Sequence, residues 1–197
     1  MKPTFEQIIA ATKKIGGVIF TSNYSVNFGG WRTADNSSNK FNDYLYAFYY
    51  LDGKLIGEII PASTDAGLYY RINPIKRIGT AIIVHDKQYR GVYQLQDPAL
   101  DKSLRGHKGR KAFRQIADMS YWRDSNRDIY LDFTGIIDVG IANTNVHYAG
   151  TLGNNVDKWS AGCPVAIEHE LNKIFAIADV QISKGLGDIF SFTLLKG

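Results

Sequence analysis

A lone cysteine and an upstream histidine are the residues of this chain best suited to covalent chemistry. Cys163 is the single cysteine, and it ends the turn-like sequence Ser160-Ala161-Gly162-Cys163, while His147 precedes it at the end of a predicted strand. A thiol becomes a nucleophile when a nearby base takes its proton. Gly162 adds no side chain, so backbone N–H groups of the turn are able to approach a developing oxyanion. The pattern indicates a cysteine nucleophile with a histidine base.

Cys163 also has a structural interpretation. With one cysteine the chain forms no internal disulfide and no multi-cysteine zinc site, so the thiol is either a small buried hydrophobe or a reactive group. In papain-like peptidases the Cys precedes its His, whereas the only later histidine here, His169, falls on a predicted helix. We expect a catalytic thiol to be alkylated well below its unperturbed pKa of about 8.5, and a buried structural thiol to resist.

An acidic segment offers an alternative site, for calcium. Residues 124–132 carry oxygen ligands at alternate positions, from Asp124 to Asp132. The segment lacks a Gly at the sixth position and a Glu at the twelfth, where Gly135 stands, so an ordinary polar turn is the better interpretation. Three other histidines show no metal-ligand spacing and are interpreted as structural or surface residues: His85, His107 and His169. We expect no metal and no other cofactor.

The elements that must position these residues are mainly strands. The 12 Tyr, 10 Phe and 3 Trp lie in short segments separated by Gly, Asn and Asp, which favours strands over long helices. A hairpin is predicted over residues 44–60, with Asp52-Gly53 as its tight turn. Further strands are predicted in five segments: 80–84, 91–95, 129–133, 135–141 and 188–195.

Two helices are predicted from apolar residues at helical spacing. The first covers residues 4–15, and the second, over residues 164–182, begins just beyond Cys163. Residues 24–40 are rich in Asn, Ser and Gly and are interpreted as strand fragments and loop. Residues 101–114, with seven basic residues or His, are interpreted as a solvated loop or short helix.

Composition limits the class of protein. A chain of 197 residues, 45% hydrophobic and 21% charged, is able to close one core, so we expect a single domain. The net charge of +4 is too small and dispersed to indicate a nucleic-acid partner. Charged residues interrupt the first 17 residues, so we expect no signal peptide, and no stretch is apolar enough to span a membrane.

A histidine at a strand end, an intervening loop and then Ser-x-Gly-Cys together resemble the motif of the L,D-transpeptidase catalytic family. Residues 64–69, Thr-Asp-Ala-Gly-Leu-Tyr, are similar to the family's Thr-Pro-x-Gly-x-aromatic segment, so the resemblance covers about residues 44–195. It implies a mainly β, α+β fold: an L,D-transpeptidase-like β-sandwich or barrel with an N-terminal helix and a helix after the cysteine. Residues 44–197 would be the catalytic domain, with residues 1–43 packed on it as a helix and extension in one structural domain.

The resemblance also implies roles for individual residues. Cys163 would be the acyl-accepting nucleophile and His147 its base, with the Tyr148 carbonyl orienting the imidazole. The N–H groups of Gly162 and Cys163 would form the oxyanion hole. The residues just before them are expected to contact substrate, with the serine also shaping the turn: Trp159, Ser160 and Ala161.

Three positions depart from the family's usual motif. Tyr148 stands where Gly often follows the histidine, and Ala161 stands where His often precedes the Gly. Val165 replaces the Arg or Asn often found two residues after the cysteine. These departures concern substrate contacts and reaction direction, and they leave Cys163 and His147 unchanged.

The whole chain is also similar to a compact, unexported subgroup found in phages and phage-like elements of Bacteroidetes, which shares the landmark Asn-Lys-Phe-Asn-Asp at residues 39–43. The resemblance implies a cysteine hydrolase of peptidoglycan stem peptides, an endolysin or virion-associated enzyme working through a thioester. Such a protein would be made in the cytoplasm and act at the wall after lysis or delivery, with phage particle components as partners. The alternatives are L,D-transpeptidase cross-linking and a non-catalytic virion or injection-machine protein that keeps the fold.

Overall fold

The computed structural model describes residues 1–150 and 155–197, and these residues form a mainly β protein with helices. Residues 151–154 of the loop expected between His147 and Cys163 lie outside the described residues. The elements follow in chain order: α1 Phe5–Lys14, β1 Asn27–Arg32, β2 Asp43–Leu51, β3 Lys54–Ala62, α2 Leu68–Ile72, β4 Thr80–Ile83, β5 Lys87–Gln96, β6 Ala112–Gln115, β7 Met119–Asp124, β8 Ile137–Gly140, β9 His147–Tyr148, a 3₁₀ turn Asp157–Trp159, β10 Val165–Ala166, α3 Glu168–Ser183 and β11 Ile189–Lys196.

The strands form three sheets. The largest has the order β3-β2-β1-β11-β5-β6, in which β1 and β11 are parallel and the other neighbours antiparallel. A second sheet has the order β4-β7-β8, and β9 pairs in parallel with β10. The expected mainly β, α+β class is confirmed.

Both faces of the six-stranded sheet are covered. Along β2 the side chains alternate, so that Leu45 and Ala47 join the main core while Tyr46 and Phe48 join a smaller one. Helix α3 contributes to the main core, and α1 packs on the opposite face through Ile8. None of the described helices has the length and apolar character needed to cross a membrane.

Local signals in the sequence account for the elements that were predicted. Helix α1 begins after Thr4, whose side chain forms a capping box with Gln7. The hairpin of β2 and β3 turns at Asp52 and Gly53, whose φ angles of 50° and 78° match a turn with two left-handed residues. The strands predicted at residues 80–84, 91–95, 135–141 and 188–195 are present with shifted ends.

Strand β1 was not predicted as a continuous element, although it lies at the centre of the large sheet between β2 and β11. Its glycines weaken the strand signal. A Cβ at Gly29 would lie 2.1 Å from the Thr193 carbonyl oxygen and 2.3 Å from the Tyr46 hydroxyl, so close packing explains the glycine. Because β1 belongs to this sheet, the expected boundary at residue 43 does not separate two structural units.

Three other predictions differ from the structure, the second of them only in where a helix begins. Residues 129–133 form no strand and contribute only an isolated bridge, between Tyr130 and Ser37. Helix α3 begins at Glu168 rather than directly after Cys163, because Val165 and Ala166 pair with β9. Residues 112–114, expected in a loop or short helix, belong to the edge strand β6.

Candidate active site

His147 and Cys163 are brought together by the short parallel ladder of β9 and β10. His147 is the register partner of Val165, and its N–H donates to the Pro164 carbonyl at 3.3 Å. Side chains alternate along extended backbone, so Cys163, two residues before Val165, lies on the same side as His147. Both side chains line one cleft of about 280 Å³.

The imidazole of His147 is oriented by backbone. Its Nδ1 lies 2.8 Å from the Tyr148 carbonyl oxygen, which only accepts hydrogen bonds, so the partner assigns the proton to Nδ1 and the lone pair to Nε2. Burial, followed by the charge of His107, lowers the pKa of His147 to about 3. The ring is therefore a neutral base near neutral pH, with its basic nitrogen available.

Cys163 is 8% exposed, and its thiol donates to the Asn143 carbonyl with a separation of 3.5 Å. Burial raises the pKa of Cys163 to about 12, against a smaller opposing contribution from the backbone of Asn145. Burial thus favours the neutral thiol and the neutral imidazole in the cleft that the two residues share. The expectation of a thiolate formed well below the ordinary thiol pKa stays a prediction, which alkylation of Cys163 as a function of pH tests.

Gly162 shapes the nucleophile's turn in a different way from the one expected. Its φ of +127° is disfavoured for residues with a side chain, and a Cβ there would lie 2.5 Å from the Ala81 carbonyl oxygen of β4. Its N–H donates to Ser160 Oγ at 3.0 Å, so this group is already occupied. The N–H of Cys163 has no acceptor within the described residues.

The three expected substrate contacts divide between the cleft and the interior. Trp159 and Ala161 line the cleft, and Trp159 is 47% exposed. Ser160 is fully buried, so its expected contact with substrate is wrong. Its hydroxyl lies 2.7 Å from the Cys163 carbonyl and 2.9 Å from the Asp65 carbonyl, and it fixes the turn from beneath.

The Tyr148 side chain packs against helix α3. Its hydroxyl donates to Asn172 Oδ1 at 2.7 Å, and its ring packs edge-on against Phe175 of α3. The Tyr148 carbonyl orients His147, and Tyr148 also lines a smaller pocket with His107 and His147. The side chain anchors β9 to α3, which steadies the strand that carries the base.

The segment at residues 64–69 lies directly against the nucleophile's turn. Ser63 and Val165 exchange two backbone hydrogen bonds of 2.8 Å, and Gly67 N–H donates to the Ser160 carbonyl at 3.0 Å. A Cβ at Gly67 would lie 1.9 Å from the Asp157 carbonyl oxygen, so only glycine permits this approach. The segment therefore supports the turn at both ends.

The segment at residues 39–43 also contacts residues 64–68 and the chain just before the Cys163 turn. The Asn39 side-chain oxygen accepts from the N–H groups of Leu68 and Asp157, at 3.0 and 2.5 Å. The Asp43 carboxylate accepts from Thr64 N–H and from its hydroxyl, at 3.0 and 2.6 Å. Three segments distant in sequence, including the cysteine turn, thus converge beneath the cleft.

A buried polar cluster lies at this junction. Arg32 is buried and donates to the Thr64 hydroxyl, the Thr64 carbonyl and the Ile83 carbonyl, at 3.1, 3.0 and 3.0 Å. Burial raises the pKa of Asp43. Burial, followed by the charge of Asp43, raises the pKa of Asp65 to about 8. Burial at this junction therefore favours the uncharged form of Asp65.

His107 belongs to the cleft, contrary to its interpretation as a structural or surface residue. Its ring stacks on His147 with centroids 3.7 Å apart and planes 2° from parallel. Burial, then the charges of Lys108 and Arg114, lowers its pKa. No local pattern indicates this contact, because the ring comes from a basic loop far from His147 in the chain.

Positive charge lines the cleft. Its walls carry Lys76, Lys108, Arg123 and Lys158. Arg123 pairs with Asp138 at 2.5 Å, whereas no carboxylate of the described residues lies within ion-pair distance of the three lysines. Val165, where the family often has a cation, is buried in β10. The cations of this cleft therefore come from other segments.

The acidic segment at residues 124–132 is tied into the protein by its own contacts. Asp124 is buried and pairs with Arg71 at 2.6 Å, and Asn126 donates to Asp128 and Asp132 at 3.1 and 2.9 Å. Within residues 1–150 and 155–197, no group of three or more His, Cys, Asp or Glu is arranged to hold a metal ion.

Comparisons of the chain with models of protein families, with curated proteins and with solved structures found no match.

Proposed function

We propose that this chain is a cysteine hydrolase of peptidoglycan stem peptides, with a fold related to the L,D-transpeptidase catalytic domain. The observation that carries the proposal is the meeting of Cys163 and His147 in one cleft, with His147 Nε2 left free by the Nδ1 contact to Tyr148. The cleft thus holds the groups that nucleophilic acyl transfer uses: a nucleophile, a base and a group that orients the base. In the proposed reaction the Cys163 thiol turns from the Asn143 carbonyl toward His147 Nε2 when substrate binds.

The reaction begins from neutral groups. As the Cys163 sulfur attacks a stem-peptide carbonyl, its proton passes to His147 Nε2, and the carbonyl oxygen gains negative charge. The imidazolium then protonates the leaving amine, the C–N bond breaks and a thioester remains on Cys163. Water attacks the thioester with His147 again as base, which releases the acid and restores the thiol.

In this proposal the free protein holds two neutral groups, and bound substrate provides the carbonyl that makes the attack possible. A carbonyl seated in the cleft displaces water and places its developing oxyanion near the Cys163 N–H. The lysines of the cleft suit the carboxylates of stem peptides, because cations in a partly enclosed site favour anionic ligands. In this proposal the protein acts at the wall after lysis or delivery, with phage particle components as its partners.

Two alternatives use the same cleft. An amine in place of water would convert the thioester into a cross-link, as in L,D-transpeptidases. A non-catalytic virion or injection-machine protein would keep the fold and bind the wall polymer without turnover. The raised pKa of Cys163 favours this second alternative over an enzyme with a preformed thiolate.

The deciding experiment measures soluble muropeptides released from purified sacculi. We expect release by the wild type and none by Cys163→Ala, since the variant loses the sulfur that forms the thioester. Ser125→Ala, an exposed truncation outside the cleft, is the matched control and should retain full activity. Circular dichroism and thermal unfolding establish that all three proteins fold.

The products separate the alternatives. Muropeptide release by Cys163→Ala at the wild-type level would refute the mechanism. New cross-linked dimers from a donor and an amine acceptor would indicate transpeptidation. Binding of the wild type to sacculi without any change in the muropeptides would indicate the non-catalytic protein.

A further inference from the structure

His107 and His147 form a stacked pair whose two rings have different neighbours at Nδ1. Their centroids are 3.7 Å apart with planes 2° from parallel, and both residues line the cleft that holds Cys163. A second imidazole this close to the proposed base lies within reach of a substrate whose carbonyl is attacked by Cys163.

The tautomer of His107 follows from its partner. Asn145 Oδ1 accepts from the backbone N–H of Gln115 at 2.9 Å, which fixes the orientation of the Asn145 amide. The other end of that amide, Nδ2, therefore faces His107 Nδ1 at 3.2 Å and donates to it. An acceptor at Nδ1 leaves the proton of the neutral ring on Nε2.

The two rings thus hold opposite tautomers. His147 carries its proton on Nδ1, against the Tyr148 carbonyl, and has a lone pair on Nε2. His107 accepts at Nδ1 and carries its proton on Nε2, which has no acceptor among the described residues. One ring of the stack is a base at the cleft, and the other is a neutral hydrogen-bond donor.

We propose that His107 is a substrate-contacting residue of the active site, whose Nε2–H donates a hydrogen bond to a carbonyl or carboxylate oxygen of the stem peptide. The inference rests on the proposed function for the identity of the ligand. Lys108, the next residue, lines the same cleft without an ion-pair partner in the described chain, so donor and cation together suit an anionic oxygen group.

The stack itself limits the alternatives. Two imidazolium ions at this separation would repel each other, so the pair holds at most one added proton near neutral pH. When His147 takes the thiol proton, His107 stays neutral and keeps its donor. Burial lowers the pKa of both rings, in agreement with this assignment.

Two substitutions separate donation from stacking. His107→Phe keeps a planar ring over His147 but removes the donor, whereas His107→Gln keeps an acceptor for Asn145 and a donor for substrate. We expect His107→Phe to lose about tenfold in kcat/KM for muropeptide release, the effect of one good hydrogen bond, and His107→Gln to stay within about threefold of the wild type. A kcat/KM of His107→Phe equal to that of the wild type would overturn the inference. A kcat/KM of His107→Gln below that of His107→Phe would also overturn it.

If no muropeptide release is observed, a measurement of binding alone tests the same contact. In the Cys163→Ala background, calorimetry with a purified disaccharide tetrapeptide should give a dissociation constant about tenfold weaker for His107→Phe than for His107→Gln. Equal constants, or no binding by the parent variant, would refute substrate contact by His107.

A third measurement requires no ligand. Long-range ¹H–¹⁵N spectra of the wild type near neutral pH should report a proton on Nδ1 of His147 and on Nε2 of His107. The same tautomer in both rings, or a charged His107, would overturn the assignment. Failure of the proposed function appears separately, as an inactive wild type whose two histidines retain these opposite tautomers.

Discussion

Burial controls the protonation states of the two residues proposed to do the chemistry. It raises the pKa of Cys163 to about 12 and lowers that of His147 to about 3, so both groups are neutral in the resting protein. A thiolate–imidazolium pair would place two charges in a site that favours neither. In the proposed mechanism, proton transfer is therefore coupled to substrate attack, in the manner of a serine–histidine pair.

The first prediction concerns the alkylation of Cys163 by iodoacetamide in the free protein. Because the thiolate is the reactive form, we expect the rate to rise about tenfold per pH unit from near neutral pH toward pH 11. The denatured chain should instead level off above about pH 8.5, the ordinary thiol pKa. Mass spectrometry of the single modified residue measures both. Fast alkylation that is constant from about pH 6 to about pH 8 would indicate a preformed thiolate.

At the scale of elements, the site depends on short pieces that pack closely rather than on long regular structure. The ladder of β9 and β10 has two residues in each strand, yet it sets His147 and Cys163 on one side. Glycines allow the neighbouring segments to approach: Gly162 meets β4, and Gly67 meets the 3₁₀ turn before the cysteine. A side chain at either position would move the nucleophile.

The second prediction is that Gly162→Ala destabilises the fold by about 1–3 kcal/mol and lowers the rate of muropeptide release. The physical reasons are its left-handed φ of +127° and the 2.5 Å approach of a Cβ to the Ala81 carbonyl. Urea unfolding and the sacculus assay measure the two effects. Gly185→Ala is the matched control, since Gly185 has a φ of +73° but nothing within 4 Å. We expect this control to lose stability but to keep its activity. Equal activity losses in both variants would show that the close approach to the Ala81 carbonyl is not the cause.

At the scale of the whole molecule, three distant segments are joined by the buried polar cluster beneath the cleft. Arg32 comes from β1, Asp43 from the start of β2, and Asp65 from the segment before α2. The cluster also connects the six-stranded sheet to β4 through the Ile83 carbonyl. Its charges therefore link the pH dependence of the fold to the support of the site.

The third prediction follows from Asp65, whose folded pKa of about 8 lies above its unfolded value. Its contribution to stability is fully present below the unfolded pKa of about 3.9 and is lost as pH rises toward 8, by up to about 1.4 kcal/mol per unit. Asp65→Asn removes this titration. We expect the variant to gain stability relative to the wild type between about pH 5 and about pH 8.

Urea unfolding at several pH values within this window measures the difference. Asp118→Asn, at an exposed carboxylate, is the control and should run parallel to the wild type. A constant difference between Asp65→Asn and the wild type would mean that Asp65 is already ionised in the fold.

The sequence by itself determined the features that depend on neighbours in the chain. The capping box at Thr4 and the Asp52-Gly53 turn are local signals, and α1 and the β2–β3 hairpin formed where they indicated. The candidate nucleophile and base were also readable, because a single cysteine in a glycine turn after a histidine is a local pattern. The mainly β class followed from the distribution of aromatic residues.

Only the tertiary structure decided what depends on contacts between distant segments. Strand β1 owes its glycines to Tyr46 and Thr193, partners that no local pattern reveals. Ser160 is buried rather than open to substrate because residues 64–67 cover it. His107 joins His147 through a stack between a loop and strand β9, and its tautomer depends on Asn145 and Gln115. The protonation states of Cys163 and His147 likewise required their burial, which is a property of the packed molecule.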